Sequence, residues 1–154
     1  MIVKKLISFI TVLSLMLSLT GFCFAANPVI ESQTVEVETL EDGTEVETIF
    51  TVYENFSRAS FKTASVKKNY KDAYGDMAAS VTLVASFAYD GNIARVESAY
   101  SEVSEYNNWN YENERISETG NTAKLTAKLT KSGEGSKNVS LSISCSPNGV
   151  LTKN

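Results

Sequence analysis

The chain has 154 residues, a formal net charge of −4 at neutral pH and no histidine. An acidic protein is repelled by nucleic acid and by anionic lipid, so neither is an expected partner. The lack of histidine excludes the commonest general base, the Ser-His-Asp and Cys-His arrangements, and the usual zinc ligand sets.

The first stretch carries Lys4 and Lys5, runs apolar from Leu6 to Leu19, and closes on Ala25 and Ala26. That order describes a secretory signal peptide. Cleavage is expected after Ala25, leaving residues 26–154 as a single domain that is secreted or extracellular, free or associated with the cell envelope. Retention as a membrane anchor is the rival reading, because the apolar run is nearly long enough to span. Cys23 also stands close to a lipoprotein cleavage box, although Phe22 occupies the place of a small residue. Removing the signal takes away Lys4 and Lys5 and no acid, so the net charge of −4 becomes −6. Cys145 is then the only cysteine, and no intrachain disulfide forms.

From residue 31 to 53 the pattern is a hairpin about Asp42-Gly43. Pairing outward from a tight turn sets Val35 against Phe50, Val37 against Thr48 and Thr39 against Val46 on an inner face. The outer face then carries Glu36, Glu38, Glu45 and Glu47, with Glu38 opposite Glu47, which is mildly destabilising. Solvent screening, the basic stretch that follows, or a bound calcium ion would offset the repulsion. These glutamates are weak calcium candidates, since oxygen ligands suit calcium but no recognised calcium-loop spacing is present. The basic stretch is Arg58, Lys62, Lys67, Lys68 and Lys71. It reads as a solvated strand face leaning on the acidic hairpin, and on an edge strand its lysines would discourage aggregation. Polyanion binding is the functional reading of the same residues.

Met77 to Tyr100 is the strongest element. Val81, Leu83, Ala85, Phe87 and Tyr89 recur at every second position, which places them on one face of a strand. Asp90-Gly91 is a hairpin signal. Pairing from that turn sets Phe87 against Ala94, Ala85 against Val96, Leu83 against Ser98 and Val81 against Tyr100, with Arg95 and Glu97 toward water. Tyr100 and Val103 are an odd distance apart, so burying both requires a bulge or a change of face. Beyond them come the aromatic run Tyr106 to Tyr111 and a turn at Thr119-Gly120-Asn121. Thr122 to Thr130 repeats every four residues and so fits a strand or a helix capped by Asn121; its threonines and neighbouring strands favour the strand. Cys145 alternates with Val139, Leu141 and Ile143 and is expected to be a buried small hydrophobe rather than a reactive thiol.

The VTLVASFAYDGN run, the NNWNY segment and the SLSISCSPNG strand resemble a group of uncharacterised small secreted bacterial proteins. The resemblance covers the C-terminal half, implies export and an all-β fold, and supplies no activity, ligand or catalytic residue. Strands at short spacing with turn signals between them independently predict an antiparallel β-sandwich of about eight strands, largely hairpin-connected. Either an immunoglobulin-like topology or a simpler meander fits.

No phosphate-cradling loop or dinucleotide fingerprint occurs, so no cofactor and no enzymatic activity are expected. Tyr106, Trp109 and Tyr111 are the candidate ligand-binding residues, with Asn108 and its neighbours as hydrogen-bonding partners for sugar hydroxyls. The opposing reading makes Trp109 a core anchor, since a large aromatic side chain contributes heavily to burial. The leading expectation is a non-catalytic, secreted or envelope-associated β-sandwich that binds or structures extracellular material such as cell-wall glycan. The alternatives are a bacteriocin-like toxin and a carboxylate-based hydrolase.

Overall fold

The structure is a computed structural model that describes residues 28–54 and 60–154. The expected leader and Arg58 lie outside the described residues. Among the described residues nine strands follow one another: β1 (Ile30–Thr39), β2 (Glu45–Tyr53), β3 (Phe61–Lys71), β4 (Met77–Tyr89), β5 (Ala94–Glu105), β6 (Asn110–Thr119), β7 (Thr122–Lys131), β8 (Gly135–Cys145) and β9 (Leu151–Lys153). The larger sheet has the order β1-β2-β3-β4-β5 and the smaller one β6-β7-β8-β9. Each strand pairs antiparallel with its neighbour in sequence, and the chain changes sheet between β5 and β6. The expected all-β sandwich is the observed fold. Its topology is the meander, since an immunoglobulin-like arrangement needs Greek-key connections that do not occur among the described strands.

Period-two alternation builds the core. Val81, Leu83, Ala85 and Phe87 are at most 1% exposed and belong to one cluster with the fully buried Leu125, Leu129, Leu141 and Ile143. Burying a Leu, Ile or Phe side chain stabilises the fold by about 1.5–3 kcal/mol relative to exposing it. The four-residue repeat of β7 folds as a strand, with Ala123, Leu125 and Leu129 inward and Lys124 exposed. Cys145 is a free, buried thiol on interior strand β8, as its alternation predicts, and burial pushes its pKa up.

One-residue irregularities overturn the expected pairings. At the first turn Leu40 N–H donates to the Thr44 carbonyl (2.8 Å) and Gly43 N–H to the Leu40 carbonyl (3.0 Å), with Gly43 at φ +82°. The loop is therefore one residue longer than a tight two-residue turn. Val35 pairs with Ile49 and Val37 with Glu47, while Glu36 pairs with Thr48 and Glu38 with Val46. A slip of one residue inverts a strand, so the valines of β1 face outward and Glu36 and Glu38 face the second sheet. In the central hairpin Tyr89 pairs with Ala94 and Phe87 with Val96, a shift of even parity that keeps the faces. A bulge between Ser86 and Phe87 then sets Ser86 opposite Ser98 and Val84 opposite Tyr100. Tyr100, expected inside opposite Val81, is on the outer face instead. A further shift between Glu112 and Arg115, with Asn113 at φ +56°, lets both Tyr111 and Ile116 pack on the core.

The sandwich differs along its two long sides. On one, Val96 N–H donates to the Gly120 carbonyl (3.0 Å) and Ser101 Oγ to Glu114 (2.8 Å), tying β5 to β6 and its turn. On the other, short β9 reaches β1 through Lys153 and Glu36 (2.5 Å), and among the described residues no strand covers the edge of β1. Strand β3 is central, so its lysines do not guard an edge. Lys71 pairs with Glu45 at 2.5 Å and Lys62 with Glu31 at 3.4 Å, which bears out the expectation that the basic stretch leans on the acidic hairpin.

Candidate functional site

The expected aromatic platform does not lie open on the surface. Trp109 is 3% exposed and belongs to the core. Asn107 and Asn108, at φ +53° and +61°, turn the chain so that Trp109 N–H donates to the Tyr106 carbonyl (3.0 Å); asparagine tolerates this left-handed backbone. Asn107 Nδ2 also donates to the Met77 carbonyl (2.9 Å), pinning the loop to β4. The ammonium groups of Lys131 and Lys137 lie 5.8 and 5.6 Å from the indole centroid, within cation–π range. Lys137 also donates to the Asp42 carboxylate and the Thr44 hydroxyl. The bond from Lys137 first, then those that the Thr44 hydroxyl and N–H give to Asp42, hold the Asp42 carboxyl far below its usual range. Tyr111 is half-buried and donates its hydroxyl to Glu114 (2.8 Å); burial, then that carboxylate, pushes its pKa up. Tyr106 and Asn108 are exposed, but without the tryptophan they form no continuous flat surface.

The four glutamates are also separated. Glu36 and Glu38 open onto a cavity of about 470 Å³ between the sheets, beside Lys68, Lys153 and the apolar Val66 and Leu141. Glu45 and Glu47 are on the opposite face of the larger sheet, bonded to Lys71 (2.5 Å) and Asn69 (2.6 Å). Glu38 consequently never opposes Glu47; it lies beside Val46, and its charge adds to burial in pushing the Tyr70 pKa up to about 12. Among the described residues no group of three or more acidic or cysteine side chains is placed to hold a metal ion. The calcium reading loses its geometric basis, because the one-residue slip of β1 divides the ligand set.

The bulge between Ser86 and Phe87 completes a site that the side-chain pattern did not single out. On the outer face of the larger sheet, a depression of about 350 Å³ is lined by Tyr53, Thr63, Ser65, Thr82, Val84 and Tyr100, with Glu54 and Glu102 at its margins. Tyr53 Oη lies 3.0 Å from Ser65 Oγ, and Thr63 Oγ1 lies 2.9 Å from Ser86 Oγ, so the hydroxyls of Tyr53, Thr63 and Ser65 are held in place. Tyr100 is 52% exposed and stands next to Val84. The strands of Tyr53 and Tyr100 are three spacings apart in the sheet, about 14 Å at a normal strand separation. The signal was present in the alternation itself: Thr63, Ser65, Thr82 and Ser86 occupy the positions between the apolar ones. What hid the site was the parity of Tyr100, which only the bulge reveals.

No protein-family model, curated protein or solved structure matches the chain. Its function is therefore argued from this geometry.

Proposed function

We propose that the protein is a non-catalytic, exported β-sandwich that binds extended extracellular polysaccharide, such as cell-wall glycan, across the outer face of its larger sheet. One observation carries the reading: two tyrosines flank a floor of fixed hydroxyls, one of them more than half exposed. Aromatic rings offer apolar faces to the C–H faces of sugars, and serine and threonine hydroxyls both donate and accept toward sugar hydroxyls. Tyrosines on strands are held more rigidly than a tyrosine on a loop, which favours this face over Tyr106, and Tyr111 on β6 is half-buried and bonded to Glu114. Glu54 and Glu102 are both open to water, whereas the acid of a glycoside hydrolase works from a desolvated pocket, so the depression suits binding better than cleavage. The signal-peptide pattern and the resemblance to small secreted bacterial proteins support export.

The test is co-sedimentation of purified protein with insoluble cell-wall polysaccharide. Wild-type protein is expected in the pellet, with Tyr100→Ala weakening retention about tenfold, equivalent to about 1.4 kcal/mol. A calcium chelator is expected to change nothing. Protein that stays in the supernatant, or a Tyr100→Ala variant that binds as well as wild type, would refute the reading.

A further inference from the structure

The edge of β1, which no described strand covers, is a second surface of the molecule, independent of the polysaccharide face. All ten residues of β1 are exposed. Val35 is 53% and Val37 59% exposed on its outward face, and the large apolar residues Val29, Ile30 and Leu40 are exposed on or beside the same strand. Edge strands with unpaired main-chain groups and apolar side chains are templates for pairing with another strand.

The hydrogen-bond pattern specifies which groups are free for that pairing. Leu40 N–H bonds to Thr44, and the register is constant from Ser32–Val52 to Thr39–Glu45. In an antiparallel ladder bonded and non-bonded pairs alternate. Ser32, Thr34, Glu36 and Glu38 therefore direct their N–H and C=O groups to β2. Those of Gln33, Val35 and Val37 point to the open edge.

We propose that β1 pairs antiparallel with β1 of a second copy, about a two-fold axis at Val35, joining the two larger sheets into one. For a strand whose only charges are acidic, charge then discriminates among the registers of this self-pairing. Centring on Glu36 would oppose that glutamate to itself, and centring on Val37 would oppose Glu36 to Glu38. Centring on Thr34 would set Val37 against Glu31, and centring on Gln33 would set Val35 against Glu31, where the β1 ladder is irregular. Centring on Val35 places Val35 against Val35, Val37 against Gln33, Glu36 against Thr34 and Glu38 against Ser32, with no like charges opposed. Gln33, Val35 and Val37 of each copy then form about six main-chain hydrogen bonds across the axis. Val35 and Ile49, already neighbours on the outer face, extend into an apolar strip shared by both copies. Lys153 lies against Glu36 on the other face and balances the inward acid nearest the axis. Such an interface is self-complementary and closed, as two-fold interfaces are.

Sedimentation equilibrium of the purified protein over a range of concentrations tests the pairing. A dimer is expected for wild type. Val35→Lys, which places two ammonium groups on the axis, is expected to be monomeric with an unchanged circular dichroism spectrum, since Val35 is exposed. The register is tested by disulfide formation: Thr34→Cys chains mixed with Glu36→Cys chains are expected to cross-link under mild oxidation, and neither alone. Non-bonded antiparallel partners have Cα atoms about 4.5 Å apart, within the reach of a disulfide, and Cys145 is buried and takes no part. A wild-type monomer at every concentration overturns the proposal. So does a dimer that survives Val35→Lys, or cross-linking as strong within either cysteine variant alone as in the mixture.

Discussion

Replacing Trp109 by alanine separates an anchor from a platform. The indole is almost fully buried and sits where the β5–β6 connection passes between the sheets. Truncating a buried tryptophan costs about 3–5 kcal/mol, because the transfer energy is lost and a cavity remains. Loss of the two lysine contacts adds about 0.5–1 kcal/mol each at partly solvated sites. The expected destabilisation is about 4–7 kcal/mol, against a total of about 5–15 kcal/mol for an ordinary domain. For a domain of this length that lowers Tm by about 10–30 °C. Urea unfolding is followed by far-ultraviolet circular dichroism, because the chain has a single tryptophan and the variant loses its fluorescence probe. Trp109→Phe keeps a ring in the site and is expected to recover most of the loss. Tyr106→Ala, whose ring is 44% exposed, is expected to cost less than about 1 kcal/mol. If Trp109→Ala unfolds within about 1 kcal/mol of wild type, the ring does not anchor the core and the reasoning fails.

Asp42 gives a pH-dependent contribution to stability. Its carboxyl is held below the ordinary 3.8 in the folded state by Lys137 and Thr44, so its contribution is fully present above the unfolded value and is lost as pH falls toward the folded one. Asp42→Asn retains an oxygen acceptor for the Thr44 N–H and removes only the charge. The gap in Tm between wild type and Asp42→Asn is expected to be constant above about pH 5 and to close below about pH 4; a gap unchanged at about pH 2 would contradict the assignment. Gly149 lies under the Tyr89 ring, where an added Cβ would come within 2.5 Å of a ring carbon at φ +76°, whereas Gly133 at φ +82° has open space. Both alanine variants carry the strain of a left-handed backbone, about 1–2 kcal/mol, but Gly149→Ala is expected to lower Tm further because Tyr89 must move. Equal Tm values would mean that the ring does not cover the glycine.

The amino-acid sequence by itself determined the alternation of the strands, the positions of most turns, the burial of Cys145 and the absence of histidine chemistry. Val81, Leu83, Ala85 and Phe87 are in the core because a period of two leaves them no other shared face. The parity of β1 and of the far half of β5 was decided only by the tertiary structure. Val35 and Val37 look like core residues in the pattern, yet a loop one residue longer turns them outward and brings Glu36 and Glu38 in. Tyr100 likewise reads as buried until the bulge at Ser86–Phe87 turns it onto the outer sheet face. The physical reason is the same in both places. Side-chain direction repeats every second residue, so one extra backbone residue inverts everything beyond it, and that residue is chosen by main-chain hydrogen bonds that leave no mark on the apolar pattern. The fate of Trp109 depended on the third dimension as well, since the asparagines around it suit a loop equally well whether the ring points into the sandwich or away from it.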